Sequence, residues 1–267
     1  MLPVVLITGA SSGIGKAIAE HLAQNDYRVY GTSRNPKNDE HNGVHFLQLN
    51  VTKPESVSNA VKTLLQREKR IDFLINNAGK GISGPLEEIP ESELKAIFET
   101  NYFGPINVIK AVLPSMREQG SGMIINVTSI AGFMGLPFRS AYSATKGALG
   151  LTTEALRMEL KEFNIKVTNV APGDFATNIA AGRYHVPLEK ESAYAKNYGK
   201  CLSTMDEHVD DGQSPNLMAE AVHAIMKTEN PKVHYKVGAF MQKFSVFLKG
   251  VLPSKMYERL LLDHYKL

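Results

Sequence analysis

Seven short runs of β-branched and aliphatic residues punctuate the chain, at 4–7, 28–33, 44–49, 73–75, 123–127, 166–170 and 233–236. Several are apolar at nearly every position instead of every second one, the mark of a strand buried on both faces. Between them the apolar spacing lengthens to three and four residues over 15–24, 54–67, 91–116, 142–162 and 216–227, which predicts helices. Strand then helix, repeated, implies a parallel sheet covered on both sides. Right-handed crossovers make it a doubly wound, Rossmann-type α/β sheet of about seven strands. Such sheets bind ligands beyond the carboxyl ends of their strands. A chain of 267 residues fits one domain of this kind, 1–267.

The rhythm breaks over 176–214, a stretch rich in Tyr, charge and small residues. An irregular insertion of that length predicts a substrate loop or lid. Further on, Phe244, Val246, Phe247, Leu248, Val251 and Leu252 lie among Lys243, Lys249 and Lys255. Residues 240–267 are therefore expected to form a helical extension packed over the substrate mouth or at a subunit interface. A helix lying on a membrane surface has the same pattern.

Composition removes several function classes. The 30 basic and 27 acidic side chains are spread along the chain, so no tract is concentrated enough to make nucleic acid an expected partner. No apolar run approaches the ~18 to 20 residues of a membrane span. Residues 1–10 lack the charged start and cleavage site of a secretory signal and pass straight into a glycine-rich turn, so a cytoplasmic protein beginning at its first strand is expected. Cys201, the single cysteine, excludes an intrachain disulfide and a cysteine metal cage, fits a reducing compartment and reads as a packing residue. No metal is expected.

The first predicted strand runs into Thr8-Gly9-Ala10-Ser11-Ser12-Gly13-Ile14-Gly15 and then a helix. Glycines there allow a tight turn and let backbone N–H groups approach a pyrophosphate, while the helix N-terminus attracts the anion. The spacing G-x-x-x-G-x-G differs from the usual dinucleotide G-x-G-x-x-G. The second strand ends in Thr32-Ser33-Arg34-Asn35. With no carboxylate there to repel a 2′-phosphate and Arg34 able to pair with it, NADP(H) is expected over NAD(H).

Tyr142 and Lys146 stand four apart at the start of a predicted helix and so share a face. A phenol titrates near pH 10, too high for a base at neutrality. A neighbouring ammonium and an oxidised nicotinamide ring both favour phenolate. Lowering the phenol pKa by about 2 to 3 pH units needs roughly 3 to 4 kcal/mol, a reasonable demand on two positive charges. Ser129, just past the strand at 123–127, can orient a substrate oxygen at the same sheet edge.

Together these residues resemble the classical branch of the short-chain dehydrogenase/reductase family, along nearly the whole chain. Thr8-Gly9 to Gly15 is similar to that family's T-G-x-x-x-G-x-G turn, and Asn76-Asn77-Ala78-Gly79 to its N-N-A-G segment. Asn101, Ser129, Tyr142 and Lys146 match its catalytic tetrad, and Pro172-Gly173 with Phe175 and Thr177 its nicotinamide-contacting segment. The resemblance implies that Tyr142 transfers the alcohol proton and Ser129 positions the carbonyl. By the same likeness Lys146 lowers the tyrosine pKa and binds ribose, and Asn101 holds a water for proton exchange. Where the family commonly has an Asp that contacts adenine, this chain has Asn50 before Val51-Thr52; an amide can still accept from the adenine amino group, but without the charge.

The stretch Asn101–Glu159, with Met134-Gly135-Leu136-Pro137-Phe138, is similar to the 17β-hydroxysteroid and retinol dehydrogenase-like group, which implies a bulky apolar alcohol or carbonyl substrate. Met134, Leu136, Phe138, Phe175, Tyr184 and Tyr194 are candidates to line its pocket or to pack in core or lid. Family members usually pair through the helices holding Asn101 and Tyr142, so a homodimer or homotetramer is expected. A non-catalytic dinucleotide sensor is the competing reading; it would keep the glycine turn but have no use for the proton-transfer set.

Overall fold

Strand β1 (Val4–Ile7) is at most 1% exposed at every position in the computed structural model, which describes residues 1–176, 182–210 and 212–267. Val4 and Leu6 enter one apolar core, Val5 and Ile7 the other. A strand whose alternate side chains feed two cores must lie in the middle of a covered sheet.

After β1 come α1 (Gly13–Ala23), β2 (Arg28–Ser33), β3 (Glu40–His41), β4 (Val44–Gln48), α2 (Pro54–Glu68), β5 (Phe73–Asn76) and β6 (Ile82–Ser83). Then follow α3 (Glu91–Phe98), α4 (Gly104–Gln119), β7 (Gly122–Val127), α5 (Ser140–Glu159), β8 (Ile165–Pro172) and β9 (Tyr184–His185). The chain ends with α6 (Ala195–Asp210), α7 (Pro215–Met226), β10 (His234–Val237), α8 (Phe240–Val251) and α9 (Ser254–His264).

The main sheet has eight strands in the order β10-β8-β7-β5-β1-β2-β4-β3. Its seven parallel members are the seven predicted strands; β3 adds an antiparallel edge of two residues, too short to leave a hydrophobic pattern. One face is covered by α1 and α7 through Ile18, Leu22, Met218, Val222 and Ile225, the other by α2 and α4 through Val57, Val61, Leu64, Val108 and Val112.

The helix predicted over 91–116 is not continuous. A π-helical turn at Glu99–Phe103 separates α3 from α4. Pro105 supplies no N–H at the start of α4, and Gly104 packs so closely that a Cβ would lie 2.8 Å from Val51 Cγ2. The extra residue turns Asn101 fully inward.

The insertion at 176–214 is also more regular than its composition implies. β9 pairs in parallel with β6, and α6 buries Tyr198, Cys201 and Met205 at helical spacing. That stripe is narrow, and the polar majority around it hides the period. α8 and α9 occupy most of 240–267, and Val246 of α8 and Tyr257 of α9 pack on Ile130 and Met134.

The strand order reverses between β1 and β5, where a ligand crevice opens at the carboxyl ends. Asn77, after β5, donates from its side chain to the carbonyls of Thr8 and Gly9 at 3.0 Å each, and its backbone N–H donates to Thr8 Oγ1 at 3.0 Å. This closeness is what Gly15 permits, because a Cβ there would overlap Asn77 Nδ2 and the Gly9 carbonyl oxygen. Gly15→Ala is therefore expected to cost about 1–3 kcal/mol in denaturant unfolding and to weaken dinucleotide binding; an unchanged midpoint would contradict this packing. Cys201 is 0% exposed and burial pushes its thiol up to about 11. A disulfide reagent at pH 8 should leave the folded protein unlabelled and take up one equivalent in denaturant.

Candidate active site

Four side chains expected to act together are brought to one sheet edge by three elements. α5 carries Tyr142 and Lys146, 8% and 6% exposed. Ser129 leads the short turn after β7 and is 8% exposed, and Asn101 sits in the π-helical turn. α5 is tied to the sheet by a buried polar row. Asn76 Nδ2 donates to Asn126 Oδ1, and Asn126 Nδ2 donates to Thr153 Oγ1, each at 2.9 Å. Gly132 lets the Ser129 turn lie on this helix, since a Cβ there would come within 2.9 Å of the Lys146 carbonyl carbon.

Lys146 Nζ donates to the Val127 carbonyl at 3.0 Å and lies 6.0 Å from the centre of the Tyr142 ring. Burial holds this ammonium below the usual lysine range, and Tyr142 partly opposes the shift. A lysine so placed gives up its proton more readily than an exposed one. A cavity of about 130 Å³ borders Lys146 and Ser129, and His234 and Glu154 also line it, with Nε2 and Oε1 2.9 Å apart.

The Ser129 hydroxyl oxygen accepts from the Ala131 N–H at 3.1 Å, which leaves its own proton to donate into the cleft. Asn101 Oδ1 accepts from the Lys80 N–H at 2.9 Å, and its amide donates to the Lys80 carbonyl at 2.9 Å and to Thr145 Oγ1 at 3.3 Å. The second lone pair of Oδ1 remains for a water. Gly79 lies between these groups: a Cβ there would be 3.2 Å from Asn101 Oδ1 and 3.5 Å from Lys146 Nζ.

The glycine turn forms a cradle. Gly9 and Gly13 have φ of 67° and 55°, Ser11 and Ser12 are exposed ahead of α1, and Ile14 packs into the core beneath. The free N–H groups at the start of α1 face the crevice edge, a fit for a pyrophosphate. Ala78 N–H donates to Thr8 Oγ1 at 3.0 Å, fixing the N-N-A-G segment beside that turn.

Ser33 ends β2, and Arg34 is exposed with its carbonyl accepting from Gln48 at 3.0 Å. Asn50 Oδ1 accepts from both the N–H and the Oγ1 of Thr52, at 3.1 and 3.0 Å. Both lone pairs are used, so the group Asn50 can still offer is its NH₂. Val51 is buried in the core. Pro172 ends β8, Gly173 follows it, and Phe175 is buried against Val127 and Val170. Thr177 lies outside the described residues. Met134 packs with α8, whereas Leu136, Phe138, Tyr184 and Tyr194 cluster around Tyr142.

Two contacts went unread in the sequence. Arg139 holds its guanidinium 4.7 Å from the centre of the Tyr142 ring; its place three residues earlier, at the N-cap of α5, was the available signal. Gln242 of α8 donates to Asp174 Oδ2 at 2.6 Å and accepts from the Asp174 N–H at 3.2 Å. A Cβ on Gly173 would overlap it. Nothing in the local sequence announces that clasp, because its halves are 68 residues apart. Among the described residues no group of His, Cys, Asp or Glu is arranged to hold a metal, and no helix is long and apolar enough to cross a membrane.

The chain is 40% identical over 256 residues to a 3-ketodihydrosphingosine reductase of Bacteroides thetaiotaomicron, covering 96% of this chain and 95% of that one. It superposes on a short-chain dehydrogenase from Streptomyces avermitilis with a TM-score of 0.83 and 34% identity, over 99% of this chain and 98% of the other. It also superposes on a short-chain dehydrogenase from Burkholderia cenocepacia in complex with NADP, with a TM-score of 0.76 and 28% identity, over 97% of both chains. Residues 3–186 match the family described as short chain dehydrogenase. This protein belongs to that family of oxidoreductases.

Proposed function

We propose that the protein is an NADP(H)-dependent reductase that interconverts a hydrophobic ketone and its alcohol. The observation that carries this reading is the pairing of Tyr142 with the buried Lys146 ammonium, 6.0 Å from its ring, behind the turn that presents Ser129. A dinucleotide sensor has no need of that pair.

The bound nicotinamide cofactor supplies or accepts the hydride. The chain's own groups handle everything else. Ser129 donates its hydroxyl proton to the carbonyl oxygen and orients it. Tyr142 passes its phenolic proton to that oxygen, or takes it back in the reverse direction. One N–H of Lys146 is held by Val127, leaving two for the ribose and for the charge that develops on Tyr142. Asn101 holds the water through which Lys146 exchanges protons with solvent. Gly9 to Gly15 would hold the pyrophosphate, and Arg34 with Ser33 would receive the 2′-phosphate. The Asn50 NH₂, Val51, Ala78 and Gly79 would border the adenosine, and Pro172 and Gly173 the nicotinamide.

The substrate class is a long-chain ketone. Leu136, Phe138, Tyr184 and Tyr194 form an apolar wall beside Tyr142, and the Bacteroides relative is named for a long-chain sphingoid ketone. Residues 182–210, with β9 and α6, would act as the lid over it. Exposed Phe103, Leu151 and Met158 on the helices around Asn101 and Tyr142 support a homodimer or homotetramer, and the single free thiol accords with a cytoplasmic setting.

Tyr142→Phe should bind NADPH normally yet lose turnover by roughly 10²- to 10⁴-fold; near-normal turnover would point to another proton donor. The alkaline limb of kcat/KM should begin below the usual lysine range, because Lys146 loses its charge as pH rises through its lowered pKa. Lys146→Arg should move that limb up. Arg34→Ala should raise KM for NADPH about tenfold or more with little effect on NADH, and equal effects on both cofactors would remove Arg34 from the 2′-phosphate site.

A further inference from the structure

Helix α8 is oriented against the usual rule for a packed amphipathic helix. Gln242 and Val246 face the body of the protein, while Phe240, Phe244, Phe247 and Val251 face solvent at 71%, 36%, 58% and 57% exposure. At 100° per residue those four fall within an arc of about 60°. The three rings stack along it, with centroids 5.8 and 5.9 Å apart. Met241, Met256 and Leu260 are also exposed on α8 and α9. An apolar face of this extent marks an interaction site.

Charge decides what it meets. Residues 240–267 carry five basic side chains, Lys243, Lys249, Lys255, Arg259 and Lys266, against the acidic Glu258 and Asp263. Of the 30 basic and 27 acidic side chains in the chain, the remainder is balanced at 25 of each, so the whole net charge of +3 resides in this hairpin. A second copy docked about a two-fold axis would bring the same cations together. An anionic bilayer complements them and accepts Phe and Met side chains at the boundary between headgroups and acyl chains.

We propose that the α8–α9 hairpin docks this protein on the surface of anionic membranes through the Phe240, Phe244 and Phe247 stripe. The position of α8 gives the docking a use. It packs on Ile130 and Met134 just beyond Ser129, and Gln242 clasps Asp174 beside Gly173, so the membrane-facing helix forms a wall of the active-site cleft. A long-chain ketone held in the bilayer would then be delivered at the cleft without crossing water. The docking itself is independent of the substrate reading.

Flotation of the intact protein with substrate-free vesicles tests it. Phosphatidylcholine vesicles containing phosphatidylglycerol should carry the protein up, and phosphatidylcholine alone should carry much less. Phe244→Ser with Phe247→Ser, and separately Phe240→Ser with Met241→Ser, should each reduce the floated fraction about tenfold while NADPH binding stays unchanged. Lys243→Glu with Lys255→Glu should abolish the preference for phosphatidylglycerol. The proposal is overturned if the intact protein stays behind with both vesicles or if the Phe variants float as well as the parent. It is equally overturned if light scattering shows the Phe substitutions splitting an assembly, which would mean a second copy covers the face. Because the vesicles hold no ketone, failed flotation leaves the reductase reading intact, and failed ketone reduction leaves a positive flotation result standing.

Discussion

A buried ammonium must find an acceptor, and Lys146 finds the Val127 carbonyl at the very end of β7. Stranding that charge would cost several kcal/mol, so α5 cannot slide along the sheet without a penalty comparable to a large part of a domain's net stability. The row from Asn76 through Asn126 to Thr153 imposes the same register two turns further along the helix. Between these two ties the helix has one permitted position, and Tyr142, one turn before Lys146, is fixed by it. The placement of Tyr142 beside Lys146 is a by-product of satisfying buried polar groups.

The same economy governs the cofactor side. Thr8 and Gly9, after β1, are bonded to Asn77 and Ala78, after β5, so the two strands flanking the topological switch share one polar joint. Gly79 then continues directly to Asn101 and Lys146. The glycine turn and the Tyr142–Lys146 pair are thus linked through a run of a few residues, each held by a hydrogen bond of ordinary length. The π-helical turn belongs to this link, because a regular helix through Glu99–Phe103 would rotate Asn101 away from the Lys80 backbone.

Residues that act through local geometry were legible in the sequence. The parallel strands, the glycine turn and the i, i+4 pair of Tyr142 and Lys146 each leave a pattern inside a window of a few residues, and each lies where the pattern put it. What escaped depends on distant partners. The break at Glu99–Phe103 arises from a glycine packed on Val51, the order within the 176–214 insertion from a narrow stripe meeting Ser83 and the C-terminus, and the Gln242 clasp from a segment 68 residues away. Asn50 differs in kind: the partner that occupies both lone pairs of its Oδ1, Thr52, is only two residues on, a local turn that leaves no mark in the hydrophobic pattern.

The apolar cluster beside Tyr142 shows why its shape is harder still to read from sequence. Leu136 touches three clusters at once: the one around Tyr142, the one beneath α8 and α9, and the one joining Cys201, Met205 and Tyr265. Phe138, two residues on, has φ of 56°, a left-handed conformation that costs a bulky residue about 1–2 kcal/mol. Its ring meets Tyr198 at 5.3 Å and Tyr194 at 6.4 Å, and that burial offsets the strain. The turn so enforced is also what brings Arg139 over the Tyr142 ring. The pocket's shape is therefore set by α6, α8, α9 and the loop before α5 pressing on two side chains. A change in any of them reaches Tyr142 through contacts that no single stretch of sequence contains.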